Sequence, residues 1–439
     1  MNRKTLIIII SLIILVSIGG YFFLSKKAPV ATPIDGTFPG GGGSFTGTGS
    51  MGGDDTLSGG DAFIPGSSMP LPRLYELHKV PVAGIGFIEE GKSPNNTIVA
   101  RYIERGLGHI YETQLATLVE SRIVNETRPR IMEALWGNGG KSVVVRFIDD
   151  KDGFSVVKTN IVNVGGITTS FARSTSTEMI SDFITTEETS LPDHIPFMAT
   201  VEDGGNKIFY LENGVNASTG ALATFNDFSV STIFSSSFTE WLPQFPNQNL
   251  ITLTTRPSAK VAGHLFFISP KNKSVTKILG GINGLTTLTS RDGKHVLFAE
   301  TMGDAPELSV YDVANKNTNH FLLHTLPEKC VWGSKNSTMA YCAIPQSIPV
   351  ATYPDQWYQG LVAFSDALWS IDTETGDVAK IMTPGDYRAA NLDMINLALS
   401  SDDSHLVFMN KTSGTPWVYR IAEISTPTTD ISTTTVSGM

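Results

Sequence analysis

The chain has 439 residues, with Lys+Arg 32 against Asp+Glu 42 and a formal net charge of −10 at pH 7. No Lys/Arg cluster lies outside the extreme N-terminus, so nucleic-acid binding is disfavoured. Length alone would suggest about three domains, although a repeat architecture absorbs most of that because repeats have no single-core size limit.

Residues 5–24 carry no charge and read TLIIIISLIILVSIGGYFFL. As a helix such a run spans roughly 30 Å, the thickness of a hydrocarbon core. Arg3 and Lys4 precede it, and Lys26 and Lys27 follow. A cleaved signal peptide is the alternative, but the run is long for one, no small-x-small site follows, and no lipobox cysteine is present. The expectation is an uncleaved transmembrane signal anchor within 1–27. Its flanking charges are nearly balanced and barely decide topology. Residues 28–70 hold the glycine run 40–43, further Ser and Thr, and no Lys or Arg. Such a composition cannot bury enough apolar area to order itself. It reads as a flexible linker with a reach of about 35–40 Å.

From there the chain is organised by a repeat, clearest in 289–323. This stretch reads as a polar turn (Arg291, Asp292, Gly293, Lys294), an apolar strand from His295, a second strand ending at Asp312, a turn, and a third strand from His320. Aligning each copy on the strand after its polar turn gives Ile98, Val143, Ile208, Ile251, Val296, Met339 and Leu406, in steps of 45, 65, 43, 45, 43 and 67 residues. A period near 40–45 with four strands is the signature of a β-propeller, in which blades stack because no single small sheet can bury both faces. The turn copies GNGGK, EDGGNK, SRDGK, GSKNS and SDDSH are rich in Gly, Asp and Asn, since tight hairpins need positive φ at one or two positions.

These copies, with Leu135-Trp136, Val331-Trp332, 290–294 and Ser370-Ile371-Asp372, resemble the TolB-type, WD-like propeller repeat. The resemblance covers about 80–424 and implies an all-β, seven-bladed propeller over 71–424, with a Ser/Thr-rich disordered tail expected at 425–439. It also implies protein–protein work, because TolB-like propellers are envelope proteins that engage partners through one face of the disc. The repeat is specific for architecture and nearly silent on activity. Residues 74–80 read as the outer strand of the last blade, closing the ring.

Two insertions break the period, at about 165–195 and 345–366. The first is expected in a D–A connection, unless it includes strand D, and the second between strands B and C of blade 6. Both would then crowd one face, and long insertions on rigid scaffolds are where function tends to be carried. Tyr353, Trp357 and Tyr358 cluster in the second. They could stack on sugars or anchor a partner, or fold the loop down as a plug over the channel. The first insertion carries Glu178, Asp182, Glu187, Glu188, Asp193 and His194 against one cation, Arg173. It could bind Ca²⁺ or a basic partner, or be a solvated loop, and its spacing matches no metal loop. Glu187, Glu188 and Asp193 are therefore candidate partner-binding residues. The acidic run at 149–153 fails the EF-hand register and fits a B–C hairpin turn.

Cys330 and Cys342 are the only cysteines. Folding the blade 6 hairpin brings them opposite or one step off, within reach of a cross-strand disulfide, with two buried free thiols as the alternative. Such a pair suits an oxidising compartment and, with the anchor and linker, favours an extracytoplasmic propeller with its N-terminus inside. No Gly-x-Ser-x-Gly, Cys-x-x-Cys, His-Glu-x-x-His or phosphate-binding loop occurs. The reading is a non-catalytic, membrane-anchored scaffold that binds an envelope protein and needs no cofactor or metal. The alternative is a glycan-binding lectin or carbohydrate-active enzyme that uses the channel mouth.

Overall fold

Seven four-stranded antiparallel sheets form from the residues that the computed structural model describes, which are 65, 70–91, 96–151, 154–167, 183–193, 195–226, 229–389 and 391–421. All lie in the compact unit Ala62–Met439. We letter the strands of each blade A to D in sheet order. Blade 1 is Val82–Glu90, Thr97–Glu104, Ile110–Gln114 and Val119–Val124, and blade 2 is Ile131–Gly137, Ser142–Lys151, Phe154–Asn163 and Glu187–Ser190. Blade 3 is Phe197–Thr200, Lys207–Asn213, Ser218–Thr224 and Ser231–Ser236, and blade 4 is Trp241–Asn247, Leu250–Thr255, Ala262–Ile268 and Val275–Asn283. Blade 5 is Thr286–Thr289, His295–Met302, Ala305–Asp312 and Asn317–Leu323, and blade 6 is Cys330–Trp332, Met339–Pro345, Asp366–Asp372 and Val378–Met382.

Blade 7 takes strands A to C from Met394–Leu399, His405–Asn410 and Pro416–Arg420, and its strand D from Leu74–Glu76 at the other end of the domain. The register Leu74↔Tyr419 and Glu76↔Trp417 joins first strand to last. Closure of this kind makes ring integrity depend on both ends of the chain.

Strands A and B carry the apolar runs because blades stack on both of their faces. Strand B of blade 1, TIVARYIE, is buried over five consecutive residues, and that of blade 7, HLVFMN, over five. A two-sided burial of this kind produces near-continuous rather than alternating hydrophobicity. Close approach of blades 1 and 2 also needs glycine. A Cβ on Gly84 would lie 1.9 Å from the Ala134 carbonyl oxygen, and one on Gly140 would lie 2.1 Å from that of Phe87.

At the A–B end of the disc, the turns of blades 2 to 7 are each tied to a neighbouring blade by a hydrogen bond. Asn138 N donates to Gly205 O (3.1 Å), Gln248 N to Asp203 Oδ2 (3.2 Å), and Asn247 Nδ2 to Arg291 O (2.5 Å). Arg291 Nη1 donates to Ser334 Oγ (3.0 Å), Ser334 N to Asp403 Oδ1 (2.7 Å), and Ser401 N to Glu89 Oε1 (2.7 Å). Arg101 Nη1 to Gly140 O (2.9 Å) bridges blades 1 and 2 and completes the circle. The Asp, Asn and Gly of these turns thus serve twice, shaping the hairpin and linking neighbours.

The first insertion takes the second of its two expected forms, the one that includes strand D. Strand D of blade 2, Glu187–Ser190, lies within 165–195, so the insertion joins strands C and D and leaves the blade at the A–B end. Its root is held there, since Arg101 Nη2 donates to Gly166 O (2.7 Å) and Ile167 N to Glu90 Oε1 (3.1 Å). The two insertions therefore branch from opposite ends of their blades. The expected anchor, most of the linker and the tail fall outside the described residues, among which no helix is long and apolar enough to cross a membrane.

Candidate functional site

The two ends of the central channel differ. At the B–C end, the blade 6 insertion crosses the disc and is bound on both sides. Asp355 Oδ2 accepts from Ala259 N of blade 4 (2.8 Å), and Tyr353 O accepts from Thr301 Oγ1 of blade 5 (2.8 Å). Trp357 O accepts from Lys411 Nζ of blade 7 (2.7 Å), and the Tyr358 hydroxyl donates to Glu328, just ahead of strand A of blade 6. A short helix, Asp355–Tyr358, places Trp357 and Tyr358 on successive positions. Tyr353, Trp357 and Phe364 pack with Leu326 as a separate small core, leaving Trp357 only 6% exposed. The segment is a cap.

Beneath it lies a buried charge cluster. Lys329 Nζ contacts Asp393 Oδ1 (2.5 Å) and Asp366 Oδ2 (2.8 Å), with all three side chains inaccessible to solvent. Asp366 Oδ2 also accepts from Met394 N (2.7 Å), and Asp393 Oδ2 from Phe364 N (3.0 Å), so the cluster ties the cap's base to blade 7. Lys411 Nζ stands 4.0 Å from the centre of the Trp357 ring, a cation–π geometry. Burial pushes the Asp366 carboxyl up to about 6 despite the opposing ammonium of Lys329. Burial likewise pushes Lys411 down to about 8, against the pull of Asp393. Two cations and two carboxylates balance in charge, as burial demands.

At the A–B end the channel is open, with a volume of about 480 Å³. Gly86, Trp136, Gly139, Gly204, Glu202 and Arg291 are among the residues that line it. Strand A of blade 3 ends just before Glu202, which faces the water of the mouth while protein surrounds it on most sides. That partial desolvation raises its carboxyl above the ordinary value, with the Arg291 guanidinium opposing. The Trp136 indole N–H, buried at the wall, has no hydrogen-bond partner. The mouth therefore presents the Glu202 carboxylate, with the Arg291 guanidinium near it, inside a rigid rim of turns.

The sequence-derived candidates fall into three groups. Tyr353 and Trp357 are consumed by the cap's core and present no stacking platform, while Tyr358, 39% exposed, is held by Glu328. Glu188 pairs with Arg128 and accepts from Asn160 Nδ2 (3.0 Å), and Asp193 pairs with Lys158 (2.8 Å). Glu187 and Glu188 are consecutive strand residues and so point to opposite sides of the sheet. The three acids do not converge, and among the described residues no group of three His, Cys, Asp or Glu side chains could hold a metal ion. Glu178, Asp182 and His194 lie outside the described residues. Cys330 and Cys342 are directly opposed in the A–B register and form the expected disulfide. Glu202 and Trp136 were not singled out from sequence, since a turn acid and a repeat tryptophan carry no signal of facing a channel.

Seven four-stranded blades around a channel define the chain as a seven-bladed β-propeller. Among solved structures it is similar to TolB from Acinetobacter baumannii (8% identity, 77% of this chain and 79% of that chain, TM-score 0.39). It is also similar to the Neurospora crassa Pan2 WD40 domain (11%, 80% and 97%, 0.46) and to an oligogalacturonate lyase from Vibrio parahaemolyticus (9%, 79% and 99%, 0.46). No family model and no curated protein sequence matches the chain. The propeller assignment stands on the chain's own seven sheets.

Proposed function

We propose that this chain is a protein-binding propeller, held by its N-terminal segment at a membrane with the disc on the extracytoplasmic side, and that it takes its partner at the A–B mouth. The observation that carries the reading is the asymmetry of the channel. One end is closed by a segment bonded to blades 4, 5, 6 and 7, and the other is open and ringed by turns locked to one another. A preformed rim binds without paying for loop ordering. Glu202 in the mouth favours a partner that presents a Lys or Arg side chain, the charge-assisted pairing being roughly twice as strong as a neutral one.

The Cys330–Cys342 disulfide supports the extracytoplasmic side, since such bonds persist in oxidising environments. The anchor rests on the uncharged run 5–24. In-cell crosslinking of the full chain, followed by identification of the captured envelope protein and titration of that purified protein, tests the reading. Glu202→Lys is expected to weaken its binding about tenfold or more by placing like charges together, at unchanged melting temperature. A glycan array run in parallel that retained the chain, while no envelope protein bound, would move the assignment to the lectin or carbohydrate-active class.

A further inference from the structure

Blades 6 and 7 stand apart toward the A–B end and leave a cleft of about 640 Å³, which is larger than the channel mouth and shares no lining residue with it. The local sequence opens this gap. Tyr341 on strand B of blade 6 pairs in register with Ser370 on strand C, and Ser370 with Ala379 on strand D. Register partners lie on one side of a sheet, so the row that faces blade 7 passes from one large side chain to two small ones. Across the gap stands Tyr419 of blade 7, buried, whose hydroxyl donates to Ile381 O of blade 6 (2.9 Å) and bridges the two blades.

The charges around the cleft are unequally committed. Asp403 Oδ1 and Oδ2 accept from Ser334 N (2.7 Å) and Lys335 N (3.0 Å). Asp402 Oδ1 accepts from Ser400 Oγ (2.7 Å), Ser404 Oγ (2.6 Å) and Ser404 N (3.0 Å). Both carboxylates thus hold turns in shape. The cations have no such duty. Arg73 Nη2 donates to the Tyr419 hydroxyl (2.9 Å), with the guanidinium carbon 5.3 Å from the centre of that ring. Among the described residues neither Arg73 nor the exposed Lys335 pairs with a carboxylate, although both line the cleft.

A cavity of this size holds a small molecule, its walls taking the body and a few polar groups fixing the orientation. Tyr341, Tyr419, Ile381 and Ile421 supply the apolar and aromatic walls. The guanidinium fork matches a carboxylate or a phosphate. We propose that the cleft between blades 6 and 7 binds a small organic anion, a carboxylate or phosphate carried on an aromatic body. Arg73 fixes the anionic head, and Tyr341 and Tyr419 flank the ring. The inference is independent of the partner reading, because the cleft and the mouth are lined by different residues.

Isothermal titration of the full-length chain in detergent tests it, with indole-3-acetate and phenyl phosphate as probes and indole-3-acetamide as the neutral counterpart. At least one of the two anions is expected to bind, the tighter one naming the head group, and the amide to bind about tenfold or more weaker. Arg73→Gln is expected to lower the affinity about tenfold or more. Ser370→Leu, which fills the gap, is expected to abolish binding without lowering the melting temperature, while Glu202→Lys leaves it unmoved. Should Arg73→Gln disturb folding, Lys335→Ala at its exposed turn position makes the same test of charge. Binding of neither anion overturns the proposal. So does an equal affinity for the amide, or binding that the charge-removing and gap-filling variants leave unchanged.

Discussion

Trp357 shows how much a residue's neighbours decide. An aromatic in a proline-rich insertion reads equally as a sugar platform or as a core, and its 6% exposure beside Tyr353 and Phe364 makes it core. Trp357→Ala is therefore expected to cost about 3–5 kcal/mol, the range for a large buried side chain, and to lower the melting temperature in calorimetry. An unchanged melting temperature would mean that the cap is not packed as described. Asp366 offers a second test. Its folded carboxyl titrates at about 6, above the ordinary aspartate value, because burial disfavours its charged form. A raised carboxyl pKa gives stability that is fully present below the unfolded value and lost as pH rises through the folded one. The wild-type melting temperature should thus fall between about pH 4 and pH 6 from this group. Asp366→Asn should flatten that segment of the profile, and an identical slope in the two proteins would contradict the assignment.

At the scale of elements, what burial imposes on both faces was legible and what it leaves free was not. Strand B announces itself in every blade, since continuous apolar runs follow from stacking on two sides, and the marked residues Ile98, Val143, Ile208, Ile251, Val296 and Leu406 all fall one position inside it. Outer strands give a weaker signal. Strand D of blade 5, NTNHFLL, is exposed at five of seven positions, and strand D of blade 2, EETS, at three of four. That is why the sequence leaves open whether the blade 2 insertion follows strand D or includes it, and with that the face it belongs to. The hairpin of blade 6 was legible from the repeat, and its register decides for the disulfide over two buried free thiols. Replacing Cys330 and Cys342 with alanine is expected to destabilise by about 3 kcal/mol on the chain-entropy account, measurable by denaturant unfolding. Lys329→Met, which leaves Asp366 and Asp393 buried without their cation, is expected to cost about 3–5 kcal/mol.

For the whole molecule, the seven-fold count and the closure by residues 74–76 could be read from the repeat, whereas the inequality of the two channel ends could not. It depends on where a B–C insertion lands after crossing four blades, and on which turn residue points inward. Gly139, Gly204, Glu202 and Arg291 read as hairpin chemistry and no more until the ring closes and sets them about one mouth. The same closure converts local turn residues into a circle of inter-blade bonds, and a rim so held is what allows a shallow mouth to select a partner.

The most direct measurement is the affinity of the crosslinked envelope protein, once purified, for the wild-type chain and for Glu202→Lys. A loss of about tenfold or more at unchanged melting temperature is the expected result and places the partner at the A–B mouth. Equal affinities would show that the open end of the channel is not where this propeller binds.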